Sequence, residues 1–170
     1  MMINFRRIYK NFGLLELLVS LSLIYVISTL IWTASTREAV KTKANEIKYN
    51  HKTVVEFMND QVNICEQSKD SMTKWGEPCK SNWKSKKIVS YLIENFEFKN
   101  PYKVQSKLIE VSEDPRIQAE GKAGQSTDKG IIFVSSQDFV NEPGAEWIIG
   151  TCVKSPCVAA GNNELVSVYR

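Results

Sequence analysis

The chain has 170 residues, 43% of them hydrophobic, and a formal net charge of +3. That length leaves room for one modest domain and an appendage, not for several domains. Arg6, Arg7 and Lys10 account for the whole excess; the remaining residues hold 19 basic and 19 acidic side chains, which gives no support to a nucleic-acid-binding patch.

The chain opens with a basic segment, residues 1–11, that contains no acid. Residues 17–34 then follow without charge, proline or glycine, long enough to read as a transmembrane helix. The wider segment 12–36 has one ionisable group besides Tyr25, the carboxyl of Glu16, and as helix would reach about 37 Å. The basic flank predicts a cytoplasmic N-terminus and export of the rest. An ordinary cleavable secretory signal would need a shorter apolar core and a small-residue cleavage site.

No glycine or proline occurs between Gly13 and Gly76, so one very long helix is expected from residue 12 to about residue 68, spanning about 85 Å. Beyond the membrane, Val40, Ala44, Ile47, His51, Val54, Met58, Val62 and Cys65 recur at spacings of three or four and predict one apolar stripe. A domain should lean on that stripe, with His51 as a helix-flank residue rather than a ligand.

Gly76-Glu77-Pro78 ends this region. A second helix is expected over 82–96, with Ile88, Val89, Leu92, Ile93 and Phe96 inward, broken at Asn100-Pro101-Tyr102. A weak strand is expected over 104–111 and a loop over 113–128. Strands are then expected at 131–136, 147–153 and 165–170, rich in β-branched and aromatic residues. The turns are Asn141-Glu142-Pro143-Gly144 and Gly161-Asn162-Asn163; such short connections predict antiparallel pairing. The fold class is α+β: a long N-terminal spine helix, half transmembrane and half amphipathic, packed on a small antiparallel β-sheet.

All four cysteines lie on the exported side, where disulfides form. Three pairings exist; proximity favours Cys65–Cys79 and Cys152–Cys157. Neither pair has zinc-ribbon spacing and His51 is the only histidine, so no metal site is expected. Asp114, Asp128 and Asp138 lack regular calcium-ligand spacing. No HExxH, P-loop or GxSxG motif is present, so no enzyme and no cofactor are expected.

Glu16 is the anomaly. A carboxylate in hydrocarbon costs several kcal/mol, and such residues mark function. Nothing within the same helix is expected to neutralise it. Cleavage after Asn11 would create an amine on Phe12, and a staggered neighbour could bring its own amine to this carboxylate. That pairing would pin the register of stacked helices, as buried polar groups do in coiled coils. The bland alternative is a hydrated glutamate at the cytoplasmic interface.

The stretch Asn11-Phe12-Gly13-Leu14-Leu15-Glu16-Leu17-Leu18-Val19, followed by a further apolar run, resembles the class III signal of type IV pilins. In that pattern Phe12 is the first mature residue and Glu16 the fifth. The resemblance is specific over residues 8–31 and architectural beyond them. It implies a leader (1–11), a transmembrane and filament-core helix (12–36) and an exported head (37–170). The head would comprise a helix continuation (37–68), an αβ segment (69–128) and a sheet with a C-terminal cysteine loop (129–170).

The resemblance further implies cleavage between Asn11 and Phe12 by a membrane prepilin peptidase, and N-methylation of Phe12. The pilus assembly machinery would then build a homo-oligomeric filament through Glu16. The chain would sit in the inner membrane before assembly, and in an extracellular or periplasmic filament afterwards. Two departures stand out. Asn11 occupies a position where the family usually has glycine, and Tyr25 and Thr33 stand where many major pilins carry glycine and proline. A cut after Gly13 would make Glu16 the third residue. A secretion pseudopilin and an uncleaved, membrane-anchored envelope binding protein are the alternatives.

Overall fold

The computed structural model describes residues 13–103, 107–120, 129–135 and 146–169. The leader, Asn11, Phe12 and the 141–144 turn lie outside these, as do Asp128 and Asp138.

The first helix, α1, runs unbroken over Leu14–Gln67, 54 residues, as the absence of glycine and proline requires. The chain divides within it into two compact units, Met1–Lys41 and Thr42–Arg170. In the second unit α1 buries Ala44, Ile47, Asn50, His51, Val54, Met58, Gln61, Val62 and Cys65, the helical stripe expected from the spacing. Val40, at its expected start, is 38% exposed and falls in the first unit.

After α1 the chain turns through a loop closed by the Cys65–Cys79 disulfide. Within it Thr73 N–H donates to the Glu77 carbonyl at 2.8 Å, and Gly76 takes φ of +80°, a conformation that disfavours a side chain. Helix α2 covers Ser85–Asn95 and buries Ile88, Val89 and Leu92; Ile93 remains 48% exposed. Phe96, expected inside this helix, is its C-cap and packs edge-on against Phe57 at 5.4 Å.

Four strands follow: β1 (Ile109–Ser112), β2 (Ile132–Ser135), β3 (Glu146–Cys152) and β4 (Asn163–Tyr169). A short helix, α3 (Pro115–Glu120), lies between β1 and β2. The sheet order is β1-β2-β3-β4. The three later strands pair antiparallel as expected, Val134 opposite Ile149 and Ile149 opposite Val166. The sheet as a whole is mixed, which corrects the antiparallel expectation: β1 runs parallel to β2, Ile109 opposite Ile132. The cause lies in the connection. Residues 113–131 are long enough for a crossover, and the stretch read as loop contains α3.

Alternation sorts the sheet into two faces. Ile109, Ile132, Val134, Trp147, Ile149 and Val168 join the core formed with α1 and α2. Trp83 stacks on Trp147 at 5.2 Å and meets Trp75 edge-on at 5.0 Å, so the aromatic interior ties loop, sheet and helix together. On the opposite face α3 sits against Gly150. A Cβ there would lie 2.6 Å from the Pro115 carbonyl and 3.0 Å from Ala119, so only glycine lets this helix approach.

Candidate functional site

Glu16 lies in the first turn of α1. Gly13 precedes the helix, and its N–H donates to Glu16 Oε2 at 2.9 Å. This is the return half of a capping box: an acid at the third helical position satisfies the N–H of the residue before the helix. The bond satisfies an oxygen without neutralising the charge, and the helix supplies no basic side chain near it among the described residues. One oxygen is engaged locally and the helix dipole favours the charge, whereas Oε1 accepts nothing among the described residues. The signal was present in the Gly13-x-x-Glu16 spacing.

Beyond Glu16, fourteen large apolar side chains from Leu14 to Trp32 are each at least 50% exposed. They cover the helix all round rather than along one stripe. Such a cylinder is stable only when something apolar surrounds it. The helix is long and apolar enough to cross a membrane. Hydroxyls in this stretch turn inward on their own backbone. Ser20 donates to the Leu17 carbonyl at 2.9 Å, Ser22 to Val19 at 2.8 Å, Thr29 to Val26 at 2.8 Å and Thr33 to Leu30 at 3.0 Å. Polar groups so satisfied cost little in hydrocarbon. Tyr25 and Trp32 are among the most exposed of the set, at 71% and 74%.

Asn11 and Phe12, the expected cleavage and methylation positions, lie outside the described residues. The chain matches no protein-family model, no curated protein and no solved structure.

The other candidates resolve into structural parts. The disulfides are Cys65–Cys79 and Cys152–Cys157. The first clamps the end of α1 to the following loop; the second closes a five-residue step leaving β3, where Asn163 donates to the Cys157 carbonyl at 2.6 Å. Asp114 caps α3, its Oδ1 accepting the Arg116 N–H at 3.0 Å. No group of three or more metal-ligating side chains gathers among the described residues.

His51 is not on the flank of α1. It is 3% exposed, and neither ring nitrogen has a hydrogen-bond partner among the described residues. Burial lowers its pKa from 6.5 to about 4, against the pull of the nearby Glu164 carboxylate. Glu164 is itself held by Lys48 at 2.7 Å, one helical turn before His51.

The residue that sequence reading missed is Glu77. It is 5% exposed, and its carboxylate accepts from the Trp75 indole at 3.1 Å, the Lys84 N–H at 2.9 Å and the Lys87 ammonium at 3.1 Å. Three donors from the loop and the start of α2 converge on one acid. Nothing in the spacing of Glu77 announces this, because its partners are fixed by the fold of the disulfide loop.

Proposed function

We propose that this chain is a structural subunit of a filament of the type IV pilin kind, held in a membrane by α1 before assembly. The observation that carries the reading is the apolar cylinder of α1, uncovered on every side and headed by a single acid. Lipid covers such a surface in the unassembled protein, and the helices of neighbouring copies cover it in the filament. Packing of Leu14, Leu15, Leu17, Leu18, Leu21, Ile24 and Ile27 against those neighbours supplies the drive. The amine of Phe12, freed by a prepilin peptidase cutting after Asn11, meets Glu16 of an adjacent copy and sets the step. The assembly machinery and the peptidase are the partners; the chain itself acts as a building block, not as a catalyst.

Glutamine at position 16 separates two roles of that side chain. Glu16→Gln keeps an acceptor for the Gly13 N–H but removes the charge, whereas Glu16→Ala removes both. In the filament reading both variants insert into the membrane, and both lose fibres under electron microscopy. Normal fibres from Glu16→Gln would overturn the charge pairing.

A second reading rests on the Gly13–Glu16 hydrogen bond. A carboxylate already served by its own chain does not require a neighbour, and the protein would then be an uncleaved, membrane-anchored envelope module. Mass spectrometry of the N-terminus decides. N-methylphenylalanine at residue 12 supports the filament subunit, and an intact leader supports the anchored module.

A further inference from the structure

Four segments of the unit Thr42–Arg170 meet around Tyr102. Lys43 of α1 and Lys129, ahead of β2, hold their ammonium groups 5.8 Å and 5.4 Å from the centre of its ring. We propose that this lysine pair binds the anionic headgroup of a lipid in the membrane that anchors α1. The inference rests on that anchorage, which both readings above share, and not on filament assembly.

The frame of the site is set in advance. Tyr102 O–H donates to the Val153 carbonyl at 2.7 Å, and Tyr102 N–H donates to Oδ1 of buried Asn100 at 2.9 Å. Asn100 Nδ2 donates in turn to the Lys129 carbonyl at 3.1 Å, and Gly130 N–H donates to the Cys152 carbonyl at 2.8 Å. Ring and backbone so fixed lose little ordering entropy on binding.

The charges on this frame are uncompensated. The ring attracts both ammonium groups to itself, yet the two repel one another. Neither has a carboxylate partner among the described residues: Glu56, Asp70, Glu77, Glu146 and Glu164 pair with other cations. The adjoining segments 100–103, 129–130 and 152–154 contain Lys103 and Lys154 besides Lys129, and no acid. One anionic group shared by Lys43 and Lys129 relieves the repulsion and accepts charge-assisted hydrogen bonds from both.

Position in the chain selects the occupant. The apolar segment ends at Thr36, and Lys43 follows seven residues later, past Arg37 and Lys41. Seven residues reach at most about 25 Å even when fully extended, so the pair stays close to the membrane that holds α1. A tether that short presents headgroups at an effective concentration that a dissolved anion does not match. A soluble polyanion would need a track of positive charge, and the chain outside its leader is balanced.

The test uses the full chain in lipid nanodiscs, one set of phosphatidylcholine and one of equal parts phosphatidylcholine and phosphatidylglycerol. Mass spectrometry reads the acetylation rate of each lysine. With phosphatidylglycerol, Lys43 and Lys129 should react about fivefold more slowly than in phosphatidylcholine alone, whereas exposed Lys86 of α2 should keep its rate. Because one headgroup engages both, Lys129→Gln should restore the rate of Lys43, and Lys43→Gln that of Lys129. Near-ultraviolet circular dichroism checks that each variant stays folded, and either one suffices. The proposal is overturned by equal rates in the two lipids, or by protection of Lys43 that survives Lys129→Gln. Equal protection by inorganic phosphate added to phosphatidylcholine discs would also overturn it, in favour of a free anion. A chain retained by neither set of discs would overturn the anchorage by α1 itself, whereas a retained chain with unprotected lysines overturns this site alone.

Discussion

Acid should loosen the head through His51. The imidazole is buried without a hydrogen-bond partner among the described residues, and its pKa falls from 6.5 to about 4 on folding. Between those values the unfolded chain binds a proton that the folded chain refuses, so stability rises with pH. The contribution is complete above pH 6.5 and is lost as the pH drops towards 4. The 2.5-unit gap corresponds to about 3 kcal/mol when fully expressed, and to about 2 kcal/mol at pH 5. For the unit Thr42–Arg170, a loss of 2 kcal/mol lowers the unfolding midpoint by roughly 6–8 °C. Near-ultraviolet circular dichroism follows this transition directly, because Trp83 and Trp147 are fully buried. The decisive comparison is with His51→Leu, which carries no proton and leaves no polar nitrogen in the core. Carboxylates titrate in both proteins, so the difference between their stability curves isolates the imidazole. The variant should be the more stable protein at pH 5 and should lack the extra slope between pH 4 and 6.5. Coincident slopes would refute the reasoning.

Further outcomes follow from the geometry of the loops and glycines. Serine replacement of Cys65 and Cys79 should cost about 3 kcal/mol, and replacement of Cys152 and Cys157 about 2 kcal/mol, as read by thermal unfolding, because the sequence separations are 14 and 5. Gly130 has φ of +79°, and an added Cβ would stand 2.5 Å from Asn100 Oδ1 and 2.9 Å from Ile47 Cδ1. Gly130→Ala should therefore cost about 3 kcal/mol in chemical denaturation. Gly76 has the same backbone conformation with nothing within 4 Å, so Gly76→Ala should cost only about 1 kcal/mol.

The spine helix was legible because it depends on local signals: no breaker over five dozen residues, and a stripe at helical spacing from Ala44 to Cys65. The three β-branched strands were legible for the same reason. Parallel β1 was not, since pairing direction is decided by the connection rather than by the strand itself. The six residues of α3 are too few to show a helical period. Its real signature was Asp114-Pro115, a capping acid before a proline at the first helical position. At the candidate site Glu16 stood out as a lone charge, and its local backbone partner was signalled only by its spacing of three from Gly13, the residue before the helix. His51 was placed in the apolar stripe yet read as a flank residue, because an imidazole is expected to seek water. Burial by the surrounding head overrode that preference.

Glu77 reaches beyond its own neighbourhood. Trp75 depends on it for an indole partner, α2 for its first anchored amide and Lys87 for a counter-charge, so one side chain keeps several parts of the head in step. Exposed lysines can be exchanged without disturbing the interior, whereas removing this acid would strip the Trp75 indole and the Lys84 N–H of their acceptor together. Substitution should therefore be tolerated at exposed Lys74 and Lys86 and resisted at Glu77, on which loop and helix both depend.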